Sequence, residues 1–304
     1  MRKPALALRA KPVEKVWGGK RLREEFDRHK LCAKVGESWE VHGELQVSDG
    51  IWAGRTLNEI TRHLGTEFVG QRCQDHTEFP LLTKWLDCQD WLSVQVHADD
   101  KTARELTRNT RARGKSECWY VHRAKDEAEV IHGLKAEADI SELLQCQGKD
   151  ILDHLKSRTV REGDFLTTPP GTVHALGPGL MIYEVQQSSN LTYRLYDWGR
   201  KRPLHPQESI LAVRQAEEEL VPLDRGEVVG EVKALTPHFV IELIDQCSSW
   251  EVDDGSFEII VSLEQDTWCC GKEILPGSVL LLPAGCGKVD LAFDGGKCLR
   301  VRLP

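Results

Sequence analysis

Arg161-Glu162-Gly163-Asp164-Phe165-Leu166-Thr167-Thr168-Pro169-Pro170-Gly171 is echoed later in the chain by Leu275-Pro276-Gly277-Ser278-Val279-Leu280-Leu281-Leu282-Pro283-Ala284-Gly285. Gly163, Pro169 and Gly171 fall on Gly277, Pro283 and Gly285 at one constant offset. Each copy reads as a turn containing Gly, an apolar strand and a Pro-x-Gly turn. Such punctuation is common in hairpins, so a single copy says little, whereas two copies in step predict a repeated β unit. Further strand-like runs bounded by Gly and Pro lie at 118–122, 181–185, 239–244, 257–263 and 278–282, and they favour an all-β barrel or sandwich. Helical spacing is rarer. It joins Ile140, Leu143, Leu144, Ile151, Leu152 and Leu155, with Asp139 and Glu142 as a capping pair and Gly148 as the point where the helix is split. Residues 56–64, 102–107 and 206–218 are the other helix candidates, so helices decorate a β framework without alternating strictly with strands.

The first copy of the repeat fits the G-D-x-x-x-x-P-x-G signature of cupin barrels, and the second resembles it with Ser278 in place of Asp. At the same offset His174 is replaced by Lys288, and no other His follows His238. The expected fold is therefore mainly β: a metal-bearing cupin, or jelly-roll barrel, with helical additions over residues 1–221, then a smaller cupin-like barrel over 222–304 without metal ligands. Residues 220–227, with Pro222, Asp224 and Gly226, are the best linker by composition.

Composition narrows the function classes. With 304 residues, 40% hydrophobic and 29% charged, the chain has an ordinary globular make-up and room for one large or two modest domains. A net charge of -8 argues against nucleic acid as a partner, because displacing counterions from phosphates needs a basic face. The ten cysteines show no C-x-x-C pair or regular framework and read as reduced thiols; adjacent Cys269 and Cys270 would point to opposite faces of a strand. The apolar stretch at the N-terminus is too short for a signal peptide, and no run approaches the ~18 apolar residues of a membrane span. The expectation is a cytoplasmic protein without a membrane partner.

The chemistry centres on Gln95-Val96-His97. On a strand, Ser93, Gln95 and His97 share one face while Val94 and Val96 take the other. Read with Glu117 in Ser116-Glu117-Cys118-Trp119 and His174 in Pro170-Gly171-Thr172-Val173-His174, they suggest one metal site. A lone His is more often a surface or hydrogen-bonded core residue than a ligand. Two His and a Glu together suit a borderline divalent cation such as zinc, and three protein ligands with an open position mark a working site more often than a structural one. Basic residues lie close in sequence. Lys84 follows the apolar run Phe79-Pro80-Leu81-Leu82 and precedes Trp85 and Leu86, where an ammonium needs an anionic partner. Lys115 shares a face with Glu117, and Arg194 alternates with Thr192, Tyr196 and Trp198. Two lysines and an arginine beside a metal point to a phosphorylated, oxygen-rich substrate.

Seven motifs in order carry a family resemblance from about Leu8 to the end of the chain: Val16-Trp17-Gly18-Gly19, Gly36-Glu37-Ser38-Trp39-Glu40, Phe79-Pro80-Leu81-Leu82-Thr83-Lys84, Leu92-Ser93-Val94-Gln95-Val96-His97, Gly114-Lys115-Ser116-Glu117-Cys118-Trp119-Tyr120, Pro170-Gly171-Thr172-Val173-His174-Ala175 and Tyr193-Arg194-Leu195-Tyr196-Asp197. The chain resembles the type I mannose-6-phosphate isomerases, or phosphomannose isomerases, in their short bacterial form. The resemblance implies one Zn2+ per chain held by His97, Glu117 and His174, with Gln95 at the fourth ligand position. It also implies interconversion of mannose 6-phosphate and fructose 6-phosphate through an enediol. Arg194 is then the expected catalytic residue, stabilising the enediolate. Lys84, Lys115 and Ser93 are assigned to the substrate, with Lys115 also a candidate for catalysis. Where the family has His-Pro after the first His ligand, this chain has His97-Ala98 followed by Asp99 and Asp100, a change of loop stiffness rather than of ligand. Two other readings start from the same residues. One is a non-haem iron oxygenase with a two-His, one-carboxylate triad, against which Gln95 and the basic set count; the other is a non-catalytic sugar-phosphate binding protein.

Overall fold

The computed structural model describes residues 3–26, 34–138, 142–144, 146, 148–215 and 228–304. Its frame is four antiparallel sheets stacked as two sandwiches. In the first, a six-stranded sheet in the order Lys11–Gly19, Val35–Val41, Leu81–Cys88, Leu180–Gln187, Glu117–Ala124 and Phe165–Thr168 faces a five-stranded sheet in the order Tyr193–Tyr196, Val94–Val96, His174–Leu176, Glu129–Leu134 and Leu155–Thr159. In the second, a six-stranded sheet in the order Leu6–Ala7, Val279–Leu282, Glu258–Ser262, Cys298–Arg302, Val240–Ile244 and Glu231–Leu235 faces four strands, Ser248–Val252, Gly287–Phe293, Thr267–Cys269 and Lys272–Ile274. The N-terminal pair Leu6–Ala7 thus lies in the second sandwich, against Val279–Leu282. This is the mainly β architecture of a cupin with helical additions.

The two copies of the repeat occupy corresponding places. Phe165–Thr168 and Val279–Leu282 are both strands, entered at Gly163 (φ 90°) and Gly277 (φ 72°) and left at Gly171 (φ 83°) and Gly285 (φ 62°). Positive φ is the reason for Gly at these turns, since a side chain there is strained. His174 opens a strand of the first sandwich, while its counterpart Lys288 is exposed.

The alternation of each central strand divides the core. In Leu81–Cys88, Leu81 and Trp85 face the layer between the sandwiches, while Leu86 and Cys88 face the interior of the first. Leu180–Gln187 repeats this, with Tyr183 and Val185 on the shared layer and Ile182 inside. Phe79, Phe257, Ile259, Val261, Leu299 and Val301 complete the shared layer, and Trp85 Nε1 donates to the Gly277 carbonyl at 2.7 Å. One apolar layer therefore glues the two six-stranded sheets back to back.

Helices cover the edges as the sequence suggests, with one exception. Leu57–Leu64 carries a Thr56/Glu59 capping box, and Asp100–Thr107 is capped by Asp99, which accepts from Thr102 N at 2.7 Å. Pro206–Gln215 packs on the five-stranded sheet through Ile210 and Ala212. The helix expected from Asp139 onward is instead two 3-10 stretches, Glu142–Leu144 and Gly148–His154, then the strand Leu155–Thr159. Gly148 at φ 57° breaks the α geometry, and Asp139, Ile140, positions 216–218 of the expected 206–218 helix and the whole expected linker 220–227 lie outside the described residues. All described cysteines are free thiols, and no described helix is long and apolar enough to cross a membrane.

Among the described residues, the charged side chains buried inside the second sandwich join in one ion network. Arg300, 2% exposed, pairs with Glu258 and with Glu242 (3.1 Å), Arg302 reaches Glu242 at 3.2 Å, and Trp250 Nε1 donates to Glu258 at 2.9 Å. Removing one partner of such a network strands the others without water. Arg300→Met is therefore expected to lower unfolding stability by about 3–5 kcal/mol. Urea unfolding checks this, and a loss within experimental error would show that the network does not bear on stability.

Candidate active site

The same alternation that puts Trp85 and Tyr183 between the sandwiches turns Lys84, Glu117, Trp119 and Glu184 into the interior of the first. Register then brings them side by side. Glu184 stands opposite Lys84 on one neighbour and Trp119 on the other, while Trp39 stands opposite Lys84 on its far side. On the facing sheet Gln95 lies between His174 and Arg194. Leu86, Val121 and Ile182 fill the lower half of the barrel, so its polar half forms one open-ended cavity of about 320 Å³.

His97, Glu117 and His174 meet behind Gln95 and Lys115 of the cavity lining, each 1% exposed, with their ligating atoms within 4.8 Å of one another. His97 Nε2 lies 3.4 Å from Glu117 Oε1, and His174 Nε2 lies 3.5 Å from Glu117 Oε2. The far ring nitrogens fix the tautomers. His97 Nδ1 meets the Leu191 carbonyl and His174 Nδ1 the Thr172 carbonyl, each at 2.9 Å. A carbonyl only accepts, so each Nδ1 carries the proton and each Nε2 turns its lone pair toward Glu117, as in metal-binding histidines oriented from behind. Burial lowers the pKa of both imidazoles, His174 to about 3, against the raising effect of the Glu117 charge, and they stay neutral at neutral pH. Burial would raise the Glu117 pKa, but the Lys115 ammonium beside it holds it well below the usual carboxylate range. A buried carboxylate with Oε2 lacking any hydrogen-bond partner, faced by two imidazole lone pairs, is a donor set that asks for a cation. The residues fit a divalent metal.

Gln95 is close enough to join. Its amide nitrogen lies 3.2 Å from His174 Nε2, and its Oε1 accepts from Ser93 Oγ at 3.3 Å. Its two amide ends exchange places by a flip of the side chain.

The basic residues are held by buried acids. Lys115 pairs with Glu117, lies 3.2 Å from His97 Nε2 and 3.8 Å from Glu184 Oε1. Lys84 lies 3.0 Å from Glu184 and 3.9 Å from Glu37. Burial alone would lower the Lys84 pKa, but the charges of Glu184, Glu37 and Glu117 raise it, so Lys84 remains an ammonium. Arg194 differs. It lies in the cavity wall with its Nε buried and without a hydrogen-bond partner, and burial, then Arg202, lowers its pKa.

Gly114 delivers Lys115. A Cβ there would lie 2.6 Å from the Asp100 amide nitrogen, so only Gly lets the strand approach the start of the Asp100–Thr107 helix. Asp100 Oδ1 in turn accepts from Gly114 N at 2.6 Å, which gives the residue that follows Ala98 and Asp99 a task of its own. Trp17 and Trp39 both line the cavity.

Sequence reasoning missed Glu184 and Glu37. Both pair with Lys84, and Trp119 Nε1 donates to Glu184 at 3.0 Å, Trp39 Nε1 to Glu37 at 2.8 Å. The signal was available: Glu184 is the one charge in the apolar run Leu180-Met181-Ile182-Tyr183-Glu184-Val185, the same anomaly that singled out Lys84.

With this geometry in place, comparison with known proteins is decisive for the family. The family described as phosphomannose isomerase type I, catalytic domain, matches residues 6–117. A mannose-6-phosphate isomerase from Streptococcus mutans serotype c is 42% identical over 216 residues, covering 67% of this chain and 66% of that relative. The chain belongs to the type I phosphomannose isomerase family. Mannose-6-phosphate isomerase ManA of Bacillus subtilis strain 168 is 40% identical over 216 residues, covering 66% of this chain and 65% of that relative. The matched segments thus span just under two thirds of these curated relatives. A crystal structure of the Bacillus subtilis mannose 6-phosphate isomerase superposes on the fold with a TM-score of 0.80 at 27% identity, covering 99% of this chain and all of that one.

The charge pairing carries a pH signature. Burial raises the Glu37 pKa, but Lys84 and Lys15 bring it from 4.5 to about 2. A carboxyl whose folded pKa lies below its unfolded one stabilises the fold above the unfolded value and loses that contribution as pH falls. The stability gap between the wild type and Glu37→Gln should be widest at neutral pH and close as pH drops from 4.5 toward 2, followed by denaturant unfolding at each pH. A gap independent of pH would contradict the pairing.

Proposed function

We propose that the chain is a metal-dependent mannose-6-phosphate isomerase that interconverts mannose 6-phosphate and fructose 6-phosphate. The observation that carries the reading is the buried His97, Glu117 and His174 set lying directly behind Gln95 and Lys115 in the wall of a cavity also edged by Lys84 and Arg194. We assign the first three to one Zn2+, with Gln95 as the fourth ligand. The bound metal supplies Lewis acidity, drawing electron density from the sugar oxygens at C1 and C2.

The residues divide the remaining work. The reaction removes the proton from C2 of the open-chain aldose and returns one to C1, with an enediol between. Lys84, kept as an ammonium by Glu184 and Glu37, binds substrate oxygens. Ser93 and Lys115 also line the cavity, and Lys115, set against the proposed metal ligands, is assigned to substrate binding and to proton movement. Arg194 is too basic to take a proton near neutrality; its guanidinium, with an Nε that has no hydrogen-bond partner, faces the negative charge of the enediolate. Glu184 positions both lysines. A two-His, one-carboxylate iron oxygenase would have no use for this array of cations around the metal set. The division into a catalytic unit over 1–221 and a supporting β unit over 222–304, and a cytoplasmic location, belong to the same reading.

The test is a coupled assay for fructose 6-phosphate formed from mannose 6-phosphate, with and without chelator. Activity abolished by chelator and restored by zinc supports the reading; no isomerisation with zinc loaded would end it. His97→Ala and His174→Ala are each expected to lose bound metal and turnover together. Arg194→Ala should keep the metal while kcat falls about 100-fold or more, the scale of losing one charge-stabilising donor. A near-normal kcat would reassign Arg194 to a structural part.

A further inference from the structure

A larger cleft of about 720 Å³ lies at the seam of the two sandwiches. One wall comes from residues 72–81 and 100–113 of the first sandwich, the other from Pro237, His238, Leu303 and Pro304 of the second. Four guanidinium groups line it, those of Arg72, Arg104, Arg111 and Arg113, against two carboxylates, Asp75 and Asp100. This concentration of positive charge runs against the molecule's net -8. Both acids are already engaged. Asp75 accepts from Arg113 Nη2 at 2.6 Å and from Thr77, and Asp100 Oδ1 accepts from Gly114 N at 2.6 Å and from Gln187 Nε2 at 3.0 Å. Arg111 is held by Thr77 Oγ1 at 2.8 Å, with Glu78 at 3.8 Å, and Arg72 by Asp253 at 3.3 Å. Arg104 has no ion-pair partner among the described residues. A cleft of this size, between packed units and with forked donors on one wall, has the features of a site for a small ligand with several anionic oxygens.

The cleft backs onto the active site through a short chain of hydrogen bonds. Gln187, in its lining, donates to Asp100, and its Oε1 accepts from Ser116 N at 3.0 Å. Asp100 holds Gly114 N, while Lys115 N donates to the Ala98 carbonyl at 3.0 Å. The segment from Gly114 to Glu117, which presents Lys115 and the metal ligand Glu117 to the cavity, is therefore clamped by two residues of the cleft. An anion gathered by Arg104, Arg111 and Arg113 changes the charge facing Asp100 directly.

We propose that this cleft is a second, regulatory site for a small organic phosphate or similar multivalent oxyanion, coupled to Lys115 through Asp100 and Gln187. It differs from the substrate site in every lining residue.

The probe is inorganic phosphate, titrated by calorimetry into the full-length, metal-loaded protein; any binding at the substrate site is common to the wild type and the cleft variants below and drops out of their comparison. Hydrogen exchange at the Gly114 to Glu117 amides is read in parallel. The wild type should bind phosphate and show slower exchange at these amides. The Arg104→Glu, Arg111→Glu double variant, altered only at exposed side chains, should bind about tenfold more weakly or worse, the scale of losing a charge-assisted hydrogen bond, and lose the exchange effect. Arg104→Ala serves as a milder variant if the double variant unfolds. Phosphate binding of equal strength in wild type and variants overturns the site, as does no saturable binding to the wild type. Binding without any change in exchange between Gly114 and Glu117 overturns the coupling.

Discussion

The first sandwich depends on how three buried carboxylates, Glu37, Glu117 and Glu184, are neutralised in a space closed to water on most sides. An isolated ionised carboxylate in such a place costs far more than any single packing contact returns, so each must meet positive charge or a metal. Glu37 and Glu184 share Lys84, and Glu117 meets Lys115. The buried oxygen of Glu184 without a hydrogen-bond partner still lies 3.0 Å from Lys84, whereas Glu117 Oε2 meets a neutral imidazole instead of an ammonium, with a second imidazole turned toward Oε1. That residual demand makes a buried ionic core a candidate metal site, with the lysines that balance the other acids standing around it.

The second sandwich solves the same problem without leaving anything open. Glu242 and Glu258 are matched by Arg300 and Arg302, and Trp250 lies under the Arg300 guanidinium at 5.3 Å. Planar, forked guanidinium groups suit such closed pairing, where a point-charge ammonium would leave acceptors unfilled. No cluster of His, Cys, Asp or Glu suited to a metal appears there among the described residues. The apolar layer holding Trp85, Phe79, Ile259 and Val301 packs it against the strands whose opposite faces carry Lys84, Glu117 and Glu184.

Much of this was legible in the chain because β geometry has a period of two and its turns need particular residues. The matched Gly and Pro positions around 163–171 and 277–285 gave the repeated unit, and same-face spacing joined Gln95 with His97 and Lys115 with Glu117. Glu184 escaped because its partner Lys84 is a hundred residues away, and pairing across strands is a property of register, not of local sequence. Arg300, Glu242 and Glu258 escaped for the same reason. The helix expected from Asp139 failed at Gly148, where apolar spacing suited a helix but the positive φ allowed only short 3-10 stretches.

The central claim is that the buried His97, Glu117 and His174 set exists to hold a metal. X-ray absorption at the zinc edge of the zinc-loaded protein tests it most directly. The account predicts two imidazole ligands at about 2.0–2.1 Å with oxygen ligands completing the shell, and loss of one imidazole in His174→Ala. A shell containing thiolate sulfur, or one unchanged by His174→Ala, would contradict it.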